Sequence, residues 1–145
     1  MLSMKTSCSK YARCLYFTSA ALARKIEKMA VESWKKVGLS PSHAYLLIAA
    51  LEEPGIQPTA LAEHLQLQPS TVTRLIEKLE EKKLVIRTTE GRITNVYPTP
   101  KAKELQPKMM TCMKDFANKY AAALGKEESA RLVQTMAQVA DKLED

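Results

Sequence analysis

Glycine is scarce here, at four residues in 145. That scarcity argues against a Gly-rich loop cradling a phosphate. Histidine is scarcer still, with only His43 and His64, and neither has Cys or paired carboxylates nearby in the pattern. No metal site is expected from them. The three cysteines, Cys8, Cys14 and Cys112, are odd in number and widely spaced. They form neither a disulfide framework nor a zinc pattern, so the thiols are expected to stay reduced in a cytoplasmic protein. No apolar run approaches the roughly 20 residues of a membrane span, and no membrane partner is expected. No Ser/His/Asp or Cys/His arrangement is legible. Glu52-Glu53 precedes Pro54 at a helix end and reads as a solubilising pair. We therefore expect no enzyme and no cofactor. Acids are also missing from the first 26 residues, where Cys14 to Ala23 is a short, mildly apolar run ending in Ala-Leu-Ala. A signal or transit peptide has this look, but the run is weakly hydrophobic and continues in helical register. It is read as helix.

What is present is positive charge. Lys and Arg number 22 against 16 Asp and Glu, net +6. Residues 1–38 carry eight basic and two acidic residues, whereas residues 126–145 carry three basic and five acidic. A basic balance favours a polyanionic partner, nucleic acid or an anionic surface.

The order of elements sharpens this. Leu15, Leu22, Ile26, Ala30, Trp34 and Val37 recur on one helical face, which predicts a first helix over about 7–37 that ends at Gly38. Ser40-Pro41 opens a second, with Ala44, Leu47, Ile48 and Leu51 inward, and Glu53-Pro54-Gly55 breaks it. Pro58 and Pro69 open two short helices joined by a tight turn, a helix-turn-helix arrangement. The period then changes. Residues 84–89 and 93–97 are β-prone around a Glu90-Gly91-Arg92 turn, which predicts a hairpin in the position of a wing. Thr99-Pro100 opens a fifth helix with Leu105, Met109, Cys112, Met113, Phe116, Tyr120 and Leu124 on one face, and Pro107 inside it predicts a kink or a later start. A last helix from about Glu127 carries Leu132, Met136, Val139 and Leu143 in a stripe.

In the helix from Pro69, Val72, Ile76 and Leu79 can pack inward. Ser70, Thr71, Thr73, Arg74 and Lys78 are left outward, mostly near its start. Short hydroxyls and an Arg at a helix N-terminus suit phosphates and guanine edges in a major groove. A solvated polar face would look the same. The rival, a winged-helix protein-interaction module with no DNA role, would suit a mostly acidic face, and Ser70, Thr71, Thr73 and Arg74 argue against it.

The run from Pro58 to Glu80 resembles the helix-turn-helix core of the MarR family of transcriptional regulators. Gly38-Leu39-Ser40 resembles that family's approach to its second helix. Glu90-Gly91-Arg92 resembles its wing-tip acid-x-Arg element, and Thr99-Pro100-Lys101-Ala102 resembles its Thr-Pro-Lys-Gly. The likeness covers residues 7–145 in element order and is sharpest over 56–105. Lys83 stands where the family usually has Gly after the recognition helix, Glu90 replaces the usual Asp, and Gly91 replaces a frequent Arg.

The resemblance implies a mainly α fold with a small β-hairpin wing. The whole chain, 1–145, would be a single domain: a winged-helix lobe over about 39–99, with long dimerisation helices over 7–37 and 100–145. It implies a sequence-specific, ligand-responsive repressor that binds double-stranded DNA as a homodimer on a pseudo-palindrome. The DNA-binding candidates are Ser70, Thr71, Thr73, Arg74, Lys78, Arg87, Glu90 and Arg92. Arg92 is placed to enter a minor groove, with Glu90 steadying the guanidinium or the turn. Lys35, Lys36, Lys82, Lys83, Arg87 and Lys101 are candidate phosphate contacts. Tyr11, Tyr16, Trp34, His43 and Tyr45 are candidates to line a crevice for a small aromatic or amphipathic effector, with core or dimer packing as the other reading of the aromatics. Cys14 gives an alternative switch, since peroxide-sensing members carry a reactive Cys near the start of the first helix, hydrogen-bonded by Tyr. Here Thr18 stands where one such Tyr belongs.

Overall fold

The structure, a computed structural model, describes residues 3–143. It contains α1 (Leu15–Trp34), α2 (Pro41–Glu52), α3 (Pro58–Leu65), α4 (Pro69–Glu81), β1 (Val85–Glu90), β2 (Ile93–Pro98), α5 (Pro100–Leu124) and α6 (Lys126–Lys142). The fold is mainly α with a hairpin wing, as the pattern implies.

Three starts follow the predicted chemistry. Ser40 caps α2 with Pro41 at its first turn, Pro69 opens α4, and Thr99 caps α5 by accepting the Ala102 N–H at 3.3 Å. The first helix departs from expectation. It begins at Leu15, not Ser7. Residues 5–14 instead wind through i→i+3 turns, closed by bonds such as Ala12 N to Ser9 O and Cys14 N to Tyr11 O. The Ser9 hydroxyl accepts the Tyr11 N–H at 3.1 Å and so competes with helix formation. Cys14 is therefore the N-cap residue of α1, in extended conformation. The fifth helix does not start late: it runs from Pro100 through Pro107 to Leu124. A well-capped beginning outweighs the one backbone bond that Pro107 removes.

The core lies where α2, α3 and α4 meet the wing and the first half of α5. Leu46, Leu47, Leu61, Val72, Leu79, Val96 and Met109 are all fully buried. Trp34 brings α1 onto this core, edge-on to Tyr45 with ring centroids 6.2 Å apart. Each such side chain contributes about 1.5–3 kcal/mol on burial.

Two contacts were not visible in the sequence. Ile56 pairs with Val96, so the loop after α2 adds a short third edge to the wing's base. Beside it, Gly55 lies under the Tyr97 ring, and a Cβ at that position would meet Tyr97 atoms at 3.1–3.2 Å.

Helix α4 ends without glycine. Leu84 N–H reaches Leu79 O and Lys83 N–H reaches Glu80 O, each at 2.9 Å, with Lys83 at φ 61°. This paired closure usually places Gly in the left-handed position. Gln66 takes the same role after α3, at φ 56°. A residue with a Cβ pays about 1 kcal/mol in this region, so other contacts must hold Lys83 there.

Candidate nucleic-acid interface

Helix α4 divides cleanly. Val72, Leu75, Ile76 and Leu79 are buried, while Ser70, Thr73, Arg74 and Lys78 are exposed and Thr71 is half-buried. The polar residues crowd the N-terminal half, as the sequence pattern implies. Thr73 donates its hydroxyl proton to Pro69 O at 3.1 Å, which leaves its oxygen as an acceptor. Among the described residues, Arg74 makes no ion pair. Its guanidinium is available to an outside partner.

The wing is a two-stranded antiparallel hairpin with Glu90 opposite Ile93, so Gly91-Arg92 is a two-residue turn. Arg92 is exposed at its tip. Glu90 does not pair with it, contrary to the idea that this carboxylate steadies the guanidinium.

Several candidate cations are engaged within the chain. Arg87 meets Glu80 at 2.7 Å, tying the wing to α4. Lys78 meets Glu81 at 3.4 Å. Lys36 meets Asp115 at 2.8 Å, bridging the end of α1 to α5. That bond, first of all, raises the lysine's pKa and lowers the carboxyl's. Lys101 donates to Lys82 O at 2.9 Å. Lys35, Lys82 and Lys83 are exposed without ion pairs among the described residues. The sequence missed Glu80, Asp115 and the Lys82 carbonyl as partners, because each contact joins elements that no spacing rule connects.

The five effector candidates are not gathered into one pocket. An apolar cleft of about 760 Å³ lies between α1 and α6, with Leu22, Ile26, Tyr45, Phe116, Met136 and Val139 among its walls. Of the five, Tyr45 alone lines it. Trp34 is sealed in the core, and Tyr11 and Tyr16 are exposed near the start of α1. Cys14 is exposed at the helix cap, and Thr18 spends its hydroxyl on the carbonyls of Cys14 and Leu15 at 2.9 and 3.3 Å. Cys112 is buried, and its burial pushes the thiol pKa up.

His43 lies in the first turn of α2 and is not among the residues lining the cleft. Its ring Nδ1 hydrogen-bonds Ser40 Oγ, and its N–H donates to the same oxygen at 3.4 Å. Burial first, then the charges of Lys82 and Lys78, push its pKa below the ordinary 6.5. The unfolded chain then binds this proton more readily than the folded one. The associated stability is fully present above about pH 6.5 and is lost as pH falls below it. His43→Gln is expected to flatten this part of the decline. Urea midpoints of both proteins at about pH 7.5 and 5.5 measure it; identical losses in the two would refute the assignment.

Among the described residues, no group of three His, Cys, Asp or Glu could hold a metal ion, and no helix is long and apolar enough to cross a membrane.

Comparison with known proteins places this arrangement. Residues 37–92, from the end of α1 to the wing tip, match the MarR family model. The chain is 25% identical over 127 residues to the HTH-type transcriptional repressor MdtR of Bacillus subtilis, covering 86% of this chain and 82% of that protein. The fold is that of CouR from Rhodococcus jostii RHA1 bound to p-coumaroyl-CoA, with a TM-score of 0.77, 19% identity and 99% of each chain covered. It is also that of S. aureus MepR in a DNA complex, with a TM-score of 0.78, 17% identity, and 90% of this chain and 98% of that one covered. Family match, element order and the α4–wing arrangement converge on one segment: residues 37–92 match the MarR family, and the chain has the fold of a solved MarR-family transcriptional regulator.

Proposed function

We propose that the protein is a ligand-responsive repressor that reads a pseudo-palindromic operator as a homodimer. The observation that carries the DNA reading is the exposed N-terminal face of α4, where Ser70, Thr71, Thr73 and an unpaired Arg74 project from a helix whose other face is fully packed. A second copy would bring a second α4, and half-sites about one helical turn, roughly 34 Å, apart would suit the pair. The apolar cleft between α1 and α6 supports dimerisation, because its walls are side chains that seldom stay in water. What a partner leaves open near Tyr45 and Phe116 is our candidate for an effector pocket. An effector acts by binding one spacing of the two lobes better than another. We favour this over oxidation of Cys14, because Thr18 is engaged with backbone carbonyls.

Arg74→Ala tests the reading directly. If Arg74 bonds a guanine edge, the loss on the operator is about 1–3 kcal/mol, and specificity relaxes at one base-pair position per half-site. Binding to a library of single-base operator variants measures both; a uniform loss across all sequences would instead make Arg74 a phosphate contact. Arg92→Ala is expected to weaken binding most where A/T-rich flanks narrow the minor groove. Equal losses on G/C-rich flanks would reject insertion of the wing tip.

A further inference from the structure

The chain leaves the recognition helix through three successive peptide groups, and residues opening α5 take all three carbonyls. Lys101 Nζ donates to Lys82 O at 2.9 Å. Thr99 Oγ1 donates to Lys83 O at 2.8 Å. Thr99 N–H donates to Leu84 O at 3.0 Å. The same Thr99 oxygen accepts the Ala102 N–H, so one hydroxyl joins the end of α4 to the beginning of α5. The whole wing is looped out between these two anchored ends.

We propose that Thr99-Pro100-Lys101 is a clamp that sets the orientation of the recognition helix on α5, with Lys101 and Thr99 as positioning residues for DNA reading. The proposal rests on α4 being the DNA-reading helix. Three observations favour a clamp over direct phosphate contact. Lys101 lies at the C-terminal end of α4, where it bonds Lys82 O, about 12 Å along the axis from Arg74 and about 18 Å from Ser70. Its ammonium sits where the helix carbonyls concentrate negative potential, which favours a cation. Lys83 holds a left-handed conformation without being glycine, and Thr99 grips the carbonyl of that residue. The polar link makes α4 follow α5. Helix α5 spans 25 residues and packs on α1 and α6, so a shift there reaches α4 through directional bonds as well as through apolar packing.

The test uses the full chain, with Lys101→Met and Lys101→Arg, on a duplex selected for wild-type binding from random sequence. Under the proposal, Lys101→Met lowers affinity about threefold to tenfold. The slope of log affinity against log salt stays unchanged, because no phosphate contact is lost. Lys101→Arg, which can still donate to Lys82 O, recovers most of the affinity. A slope shallower by about one would make Lys101 a phosphate contact and overturn the proposal. Amide hydrogen exchange without DNA supplies a second readout. The Lys83 and Leu84 amides should exchange faster in Lys101→Met while those of α1 and α6 do not change. Unchanged exchange at Lys83 and Leu84 would overturn the clamp even if affinity fell. Wild-type failure to bind any duplex would instead defeat the DNA reading and leave exchange to decide the clamp.

Discussion

Removing residues 127–145 is expected to abolish dimerisation and operator binding together while leaving the winged-helix lobe folded. Helix α6 buries only Ser129 fully, and Met136, Val139 and Leu143 are 50%, 42% and 68% exposed in the single chain. No α6 residue belongs to the core cluster around Leu46, Leu61 and Val96. The stripe therefore does little for the subunit's own interior. Covering each such side chain with a second copy is worth about 1.5–3 kcal/mol at full burial. A symmetric interface counts each side chain twice. Losing all of them removes more than a micromolar dimer can spare, since such a dimer is held by about 8 kcal/mol. Sedimentation measures the association state, and gel shift measures operator binding. A truncated chain that still sediments as a dimer would place the interface elsewhere.

Operator affinity is expected to fall by about 10³-fold between roughly 50 and 200 mM salt. That figure corresponds to about six neutralised phosphates, or three from each subunit of a dimer. The ion pairs narrow the choice of donors. Arg87 is engaged by Glu80, Lys36 by Asp115 and Lys101 by a helix carbonyl, whereas Arg92, Lys35, Lys82 and Lys83 have no ionic partner among the described residues. Titrations of wild type at four or five salt concentrations give the slope. Affinity that does not change with salt would refute the electrostatic footprint read from the net charge of +6.

The lobe was legible because its punctuation is local. Ser40-Pro41, Pro58, Pro69 and Thr99-Pro100 each announce a helix within two residues, and the switch to alternating residues after Leu84 announces the wing. The start of α1 was not legible, because helical periodicity extends back past Leu15 while local i→i+3 bonds and the Ser9 hydroxyl compete with helix there. The pairing of Ile56 with Val96 joins a loop to a strand forty residues away, and no pattern in either segment signals it. The exposed polar side of α4 could be read from amphipathicity alone. Which cations stay free could not, since Arg87 and Lys36 become ion-paired only once the fold places Glu80 and Asp115 beside them. The aromatics of the first helix divide for a related reason: sharing a helix does not say which face meets the core, and Trp34 is buried there while Tyr16 faces water.

The whole connection between α5 and α6 is Gly125, at φ 90° and ψ 144°. That pair of torsions is essentially reserved for glycine. Helix α6 spans seventeen residues, about 25 Å, so turning it by about 10° at this junction carries its far end some 4 Å. In the proposed dimer a partner held by α6 would swing with it, and so would the partner's recognition helix. If that dimer holds, the distance between operator half-sites that a descendant of this chain could read would be geared to two dihedral angles of one residue. Any other amino acid at position 125 would have to settle a new angle, and the operators would have to change their spacing to match.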